Sequence, residues 1–449
     1  MTTRRRPWFG VAGLVMALVA ITVGWLSLRR DLAERRLAAV VARLDADDPG
    51  WRLDDLEAAR ASASDLGPLL AGVTIDDGPM GDGLARRRIL DAARPPVRLT
   101  ADQLRYFGDT LAANEAALRP AFDLAGRWPG RFTVARTADV VSTRLDHVGQ
   151  MGLIGLLTFE PEFYLAAQRG DAAAALRACR AEWNLGRPLH GEPWLASQRD
   201  AVHFRGQAVA WYEVLLARFE LPDADLAAVQ RDLADELADD PWATSVRGQR
   251  AYFDAAMLAL RSDDLTPEGA RAAVRRRGKE SAVDKVRGWA TDRFGTYDAG
   301  AHASGLEVLT QLTATGRLPW SHRLAAFDPI DTDLKAQPVL VRRLCPDFRK
   351  HVCKLLSDRL ALRCALAGVA AERFRVAHGR WPATADELVP AFLAEVAADP
   401  VTDRPLTVVC HPDGIAFGAA DPNNSTGARI EFRLWDVPHR NQPPPGDVP

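Results

Sequence analysis

The first thirty residues constrain this chain more than any other feature. The stretch RRRPWFGVAGLVMALVAITVGWLSLRR places an uncharged run, residues 7–28, between two Arg clusters. As a helix this run is long enough to cross a bilayer, with Trp8 and Trp25 near the two interfaces. The following VGWLSLRR offers large residues where a signal peptidase needs small ones, so an uncleaved anchor is expected. Arg4, Arg5 and Arg6 compete with Arg29, Arg30, Arg35 and Arg36 for the cytoplasmic side, while Asp31 and Glu34 contribute little. The balance predicts a short tail inside and the bulk of the chain outside. Gly13 and Ala17 have the spacing of a helix-dimer seam, but a single small-residue pair does not define one.

Behind the anchor the chain reads as globular. Of its 449 residues 47% are hydrophobic and 26% charged, enough to build substantial cores. A net charge of −2 provides no global field for nucleic acid, and the densest basic run, RRRGK at 275–279, reads as a solvated helix face. No nucleic-acid partner is expected. Five scattered cysteines form no disulfide framework. Cys353 and Cys364 share one predicted helix about 16 Å apart and cannot bridge each other. The segment CPDFRKHVC, 345–353, holds metal-ligand residue types without a partner CxxC or HxxxH, so buried structural thiols are expected rather than a metal site.

The organisation is helical nearly throughout. Asp48-Pro49-Gly50 stops the helix that leaves the anchor, and WRLDDLEAARA restarts one at Trp51. Residues 64–96 are richer in Gly, Asp and Pro and read as an irregular crossing. Thr100 with Gln103 makes a capping box for the next helix. GRWPG at 126, GRLPW at 316 and GRWP at 379 repeat a stop signal, Gly for the left-handed position and Pro against continuation. Residues 137–157 predict a core helix, and 171–261 predict further helices. The join AQRGDAAAALRA, 167–178, resembles the Gly-Asp turn of tetratricopeptide-like hairpins, although no 34-residue period is sustained.

Residues 346–377 predict a long helix with two apolar stripes. One holds Leu356, Leu360 and Cys364, the other Leu355, Leu362 and Leu366. Thr384 and Glu387 read as a second capping box. PLTVVC and GIAFGA flank His-Pro-Asp-Gly as a hairpin, and ARIEFRLW reads as a third strand. Trp381 is expected to plug the seam between the long helix and the hairpin, and the module to dock on the helices before it. The tail NQPPPGDVP lacks periodicity and apolar surface and is expected to be disordered.

That ending, FRVAHGRWP, a short helix, DPVTDRPL and a three-stranded meander, resembles the C-terminal module of type II secretion major pseudopilins. The resemblance covers about a sixth of the chain. It implies a calcium loop, for which Asp421, Asn423 and Asn424 are the only candidate ligands, without the carboxylates such a loop needs. A pilin-type cut after Gly10 would put Val15 where the mature chain carries Glu, so the chain is not read as a pseudopilin. The whole arrangement resembles an uncharacterised bacterial membrane-anchored helical family, which implies an architecture and no activity. Where such relatives carry RGERA, this chain has Arg247-Gly248-Gln249-Arg250-Ala251.

Chemistry is sparse in the sequence. The nine histidines form no HExxH, HxH or HxxxH pair, and GxSxG, P-loop and GxGxxG patterns are absent. MGDG at 80–83 reads as a turn. Glu160 and Glu162 in FEPEF straddle a proline and read as a solvated loop start rather than a catalytic pair. The best polar cluster is GEPWLASQRDAVHFRG, where Glu192, Arg199 and His203 are candidates to line a groove.

The reading is therefore a mainly α protein: an anchor at 1–30, a helical-hairpin domain at 31–340, a long helix with a small α+β module at 341–436, and a free tail at 437–449. The expected place is the bacterial inner membrane, single-pass, with the bulk extracytoplasmic. The expected role is a scaffold for protein or peptide partners, with no catalytic residue, metal or cofactor assigned. The alternative is an extracytoplasmic hydrolase or transferase using Glu192, Arg199 and His203.

Overall fold

The computed structural model describes residues 8–60, 62–76, 95–127, 130–137, 139–262, 297–421 and 430–443, with α1 side chains from residue 14. The runs at 80–83 and 275–279, Asn423, Asn424 and the side chains of Trp8 and Trp128 lie outside the described residues.

Helix α1, Trp8–Asp47, is a single continuous rod of 40 residues. Its two halves differ in surroundings. From Leu14 to Leu28 the large apolar side chains are all exposed, whereas Leu37, Val40 and Leu44 are buried in the body. Among the described residues, no helix is long and apolar enough to cross a membrane. The first part of the 7–28 run is not among the described side chains.

After α1 come α2 (Leu53–Ala58), α3 (Gly67–Ala71), α4 (Ala101–Ala113), α5 (Glu115–Ala125), α6 (Asp146–Ile154) and α7 (Glu160–Arg169). They are followed by α8 (Ala172–Gly186), α9 (Leu195–Leu216), α10 (Asp223–Ala238), α11 (Pro241–Arg261) and α12 (Ala299–Ala314). The last helices are α13 (Trp320–Ala336), α14 (Val339–Leu344) and α15 (Phe348–His378). Strands β1 (Thr407–His411), β2 (Gly414–Gly418) and β3 (Glu431–Trp435) form one antiparallel meander in the order β1-β2-β3. The fold is mainly helical with this one small sheet.

Local signals account for several boundaries. The Thr100–Gln103 capping box forms, with Gln103 N–H donating to Thr100 Oγ1 and Thr100 N–H to Gln103 Oε1. Gly170, at φ +80°, and Asp171, whose side chain accepts from Ala174 N–H, make the tight turn between α7 and α8. Of the three repeated stop signals only Gly379 adopts the left-handed conformation, at φ +71°. Gly126 stays right-handed, and Gly316 sits in a 3-10 turn, so the shared motif does not impose one geometry. The second capping box does not form. Thr384 makes no capping bond to the 3-10 turn Ala385–Leu388, because Glu387 turns back to Ala383 N–H and Arg380.

Two cores share one spine. The first gathers α3 to α10, the C-terminal half of α15 and the sheet; the second gathers the body half of α1, α2 and α11 to α14 with the start of α15. The two stripes read from the sequence of α15 are both buried, but the division runs along the helix rather than around it. Phe348, Val352, Leu355 and Leu356 lie in the second core, and Leu360, Leu362, Cys364 and Phe374 in the first. A 31-residue helix is about 46 Å long, longer than one core of this size is wide. It therefore serves each core with a different stretch.

The sheet has no core of its own: Ile415, Phe417, Phe432 and Leu434 belong to the cluster that holds α7 to α10. Gly368 of α15 makes the close approach possible, since a Cβ there would stand 2.4 Å from the Phe432 ring. Trp381 is half-buried and donates from Nε1 to Asp436, with the Arg375 guanidinium 5.4 Å above its ring.

Of the tail at 437–449, residues 437–443 pack on the body, and 444–449 lie outside the described residues. Arg440 is buried, Asn441 donates to the Arg218 and Ala217 carbonyls, and Gln442 pairs with the backbone beside Val97. Polar backbone and one guanidinium hold this segment, signals that apolar periodicity does not register.

Two motifs far apart in sequence meet at the end of α1. Asp48 accepts from both Arg247 and Arg250, and the Arg250 guanidinium lies 5.5 Å over the buried Trp51 ring. Burial pulls the Asp48 carboxyl up, but the two guanidiniums outweigh it and hold the group below the usual carboxylate range. Gly248, between those arginines, lets α11 touch the 192–194 turn; a Cβ there would fall 2.1 Å from the Pro193 carbonyl oxygen.

Candidate functional site

The three groove candidates go to different places. Glu192 is fully buried, with Arg60 Nη2 at 3.4 Å and His147 Nε2 at 3.1 Å from its carboxylate. Arg60 also pairs with Glu57, which accepts from Trp194 Nε1. This network ties α2, α6 and the 192–194 turn together and leaves Glu192 facing no groove. Arg199 is exposed and paired with Asp200. His203, one helical turn on, is exposed too, and lines a cleft that includes neither Glu192 nor Arg199. Glu192, Arg199 and His203 therefore do not converge.

His203 instead joins residues that the sequence dispersed. A small cleft lies where the α6–α7 rod meets α8 and α9. Glu160, Glu182, His203, Gln207 and Trp211 supply its polar groups. Glu160 and Glu182 are 1% and 3% exposed. FEPEF is thus no solvated loop: Glu160 and Glu162 sit buried in the first turn of α7.

The rod widens at this place. Residues Gly155–Phe159 form a π-turn, with Glu160 N–H reaching back to the Gly155 carbonyl. Pro161 has no N–H for the Leu157 carbonyl and its ring crowds that oxygen, which favours the wider turn just before it. The widening aims Glu160 across the cleft toward α9, where Gln207 Nε2 donates to its Oε1 at 3.4 Å. Gly155 clears the opposite wall, since a Cβ there would lie 2.5 Å from Glu182 Oε2. Phe204 and Trp211 form the apolar side, and Trp211 stacks on Phe163 with ring centroids 4.9 Å apart. The Trp211 Nε1–H is buried without a hydrogen-bond partner. No Lys or Arg is among the lining residues. The sequence signalled this site through Glu160 beside Pro161 and through His203, without placing them together; Glu182 lies in an unremarkable helix.

A second cluster, His190, Glu236 and Asp239, brings three potential metal ligands together. Arg205 already occupies it, with Nη1 2.6 Å from Glu236 and Nε 3.1 Å from Asp358. A fixed guanidinium there opposes a metal cation, so the cluster is an ion-pair network joining α9, α10 and α15. The 345–353 segment likewise enters the core. Burial pushes the Cys345 thiol up to about 12 and the His351 imidazole down to about 4, and His351 bonds to Ser245 Oγ at 3.0 Å.

No family model, no curated protein and no solved structure matches this chain.

Proposed function

We propose that the protein is a single-pass, membrane-anchored helical scaffold that presents its body outside the cytoplasm and binds protein or peptide partners. One observation carries the reading: a single unbroken helix bears an uncovered apolar half and a half packed into the body. Exposed Leu14, Met16, Ile21 and Leu26 on a soluble rod would be costly, at about 25 cal/mol per Å² of apolar surface left in water. A bilayer removes that cost. Arg29 over the Trp25 ring, at 4.9 Å, suits an interface where a cation and an aromatic end the apolar run.

The body supports binding over catalysis. Helices α7 and α8 form a hairpin through the Gly170–Asp171 turn and α9 packs on α8, an arrangement that suits a tetratricopeptide-like array. The long helix, Gly379 turn and meander keep the element order that the pseudopilin-like reading of the ending proposes. The Glu192, Arg199 and His203 enzyme reading loses its footing, because Glu192 is spent on Arg60 and His147.

Two measurements test this. The chain should stay in membranes after an alkaline wash, and alkaline phosphatase fused to its C-terminus should be active. Release by the wash, or an inactive fusion at a site where a cytoplasmic reporter works, overturns the anchoring or its direction. Arg199→Glu, on the exposed face of α9, should reduce capture of a membrane partner relative to the parent chain. Identical capture would remove that face from the scaffold reading.

A further inference from the structure

We infer that Arg218, just past the end of α9, and Arg98 together bind a phosphate group, a site independent of the scaffold role. Arg218 is 5% exposed, yet among the described residues its guanidinium makes no ion pair, and its Nη2 is buried without a hydrogen-bond partner. The other buried arginines of the described residues each meet a carboxylate. Arg205 has Glu236 and Asp358, Arg250 has Asp48, Arg323 has Asp240 and Arg440 has Glu372. A buried charge is tolerated in a fold when an opposite charge offsets its lost hydration. Arg218 lacks that offset.

The packed end of the chain brings a second cation beside it. Asn441 donates from Nδ2 to the Arg218 carbonyl at 2.7 Å, and the next residue, Gln442, accepts the Arg98 N–H at 2.9 Å. Arg98 is exposed and, among the described residues, also without an ion pair. Burial and the charge of Arg98 lower the Arg218 guanidinium below its ordinary range, while Tyr164 of α7 acts in the opposite direction. No carboxylate of the described residues is among the charges that act on it. Two guanidiniums without a carboxylate between them suit a dianion, because a single carboxylate would leave one charge over. A phosphate group is dianionic above about pH 6 and accepts from a planar guanidinium through two oxygens. With Arg98 exposed and Arg218 buried, the pair leads an anion from solvent to the interior charge. Free phosphate and the phosphate of a lipid headgroup share this chemistry.

Thermal unfolding of the detergent-solubilised full chain in rising inorganic phosphate tests the inference, with chloride at matched ionic strength as the reference. Glycerol 3-phosphate, the fragment common to phospholipid headgroups, forms a second arm. The midpoint should rise saturably with at least one of them, and the one that acts at lower concentration identifies the source. Arg218→Met should lose that response. In phosphate-free buffer the same variant should unfold no earlier than the parent, because an uncompensated buried charge has been removed. Earlier unfolding there would mean that the guanidinium already has a counter-ion within the chain, and would overturn the site. Arg98→Gln changes only an exposed side chain and should raise the half-saturating phosphate concentration roughly fivefold or more. A response no larger than that to chloride, or one that Arg98→Gln leaves unchanged, would overturn it as well. Arg199→Glu, the scaffold-face variant, should keep the phosphate response in full. None of these outcomes bears on membrane anchoring or partner capture.

Discussion

Arg440, beyond the last strand, donates through Nη2 to both carboxylate oxygens of Glu372 at 3.0 Å, and both side chains are buried. Arg375 meets the same carboxylate from the next turn of α15, and Arg440 also donates to the Trp435 and Phe219 carbonyls. One guanidinium thus fastens the chain's end to the spine helix, the sheet and the α9–α10 turn. Arg440→Ala should cost about 3 kcal/mol, since it leaves the Trp435 and Phe219 carbonyls without their donor and Glu372 with Arg375 alone. Thermal unfolding of the variant reads this, and Arg440→Lys should recover only part, because a lysine cannot reach two carbonyls and a carboxylate together. An unchanged midpoint for Arg440→Ala would mean that the segment contributes no stability.

Glu213 predicts a pH dependence. Burial raises its carboxyl to about 7, even though it accepts the Arg433 N–H at 3.0 Å where α9 meets β3. Unfolded, the group titrates near 4.5. Between those values the folded chain binds the extra proton, so stability falls as pH rises and the full penalty is present above about 7. Glu213→Gln keeps an acceptor without a charge. It should stabilise the protein by about 2–3 kcal/mol at pH 8 and by almost nothing at pH 4. Chemical denaturation at the two pH values checks it, and an equal effect at both would rule out titration as the cause.

Asp48 predicts the opposite slope at lower pH. The paired Arg247 and Arg250 hold its carboxyl below 3.8 despite burial, so its contribution is present above that value and is lost as pH falls through the depressed one. Asp48→Asn should cost about 1–3 kcal/mol at neutral pH and less in acid. It should also loosen α1 from α11, visible as faster amide exchange around Trp51. Protection equal to that of the parent would refute the clamp.

Gly368 reports the fit of the sheet. A methyl group there collides with the Phe432 ring, so Gly368→Ala should cost about 1–3 kcal/mol despite its better helix propensity. Adding Phe432→Leu should give back part of the loss. Additive losses would instead mean that the two side chains do not meet.

Trp381 is half-buried with its indole N–H on Asp436, so Trp381→Ala should cost about 2 kcal/mol, below the range for a fully buried tryptophan. Trp381→Phe should recover the ring packing but not the hydrogen bond. Unfolding of a set with Asp436→Ala as the second member of a double-mutant cycle separates the two parts.

The sequence by itself determined the helical character, the Gly170 and Thr100 punctuation, the strands and the apolar run at the start. These rest on periodicity, caps and turn chemistry, all local. Tertiary structure decided everything that depends on which distant residues meet. Glu192 looked available beside His203, yet Arg60 and His147, from other elements, enclose it. Glu160 gained Glu182, His203 and Trp211 only because α6 to α9 fold onto one another around a widened turn. The stripes of α15 announced burial without saying against what, because an apolar face specifies a need for cover and not its source. The end of the chain, poor in apolar residues, was held by a guanidinium that finds its carboxylate 68 residues away, an interaction with no period to read.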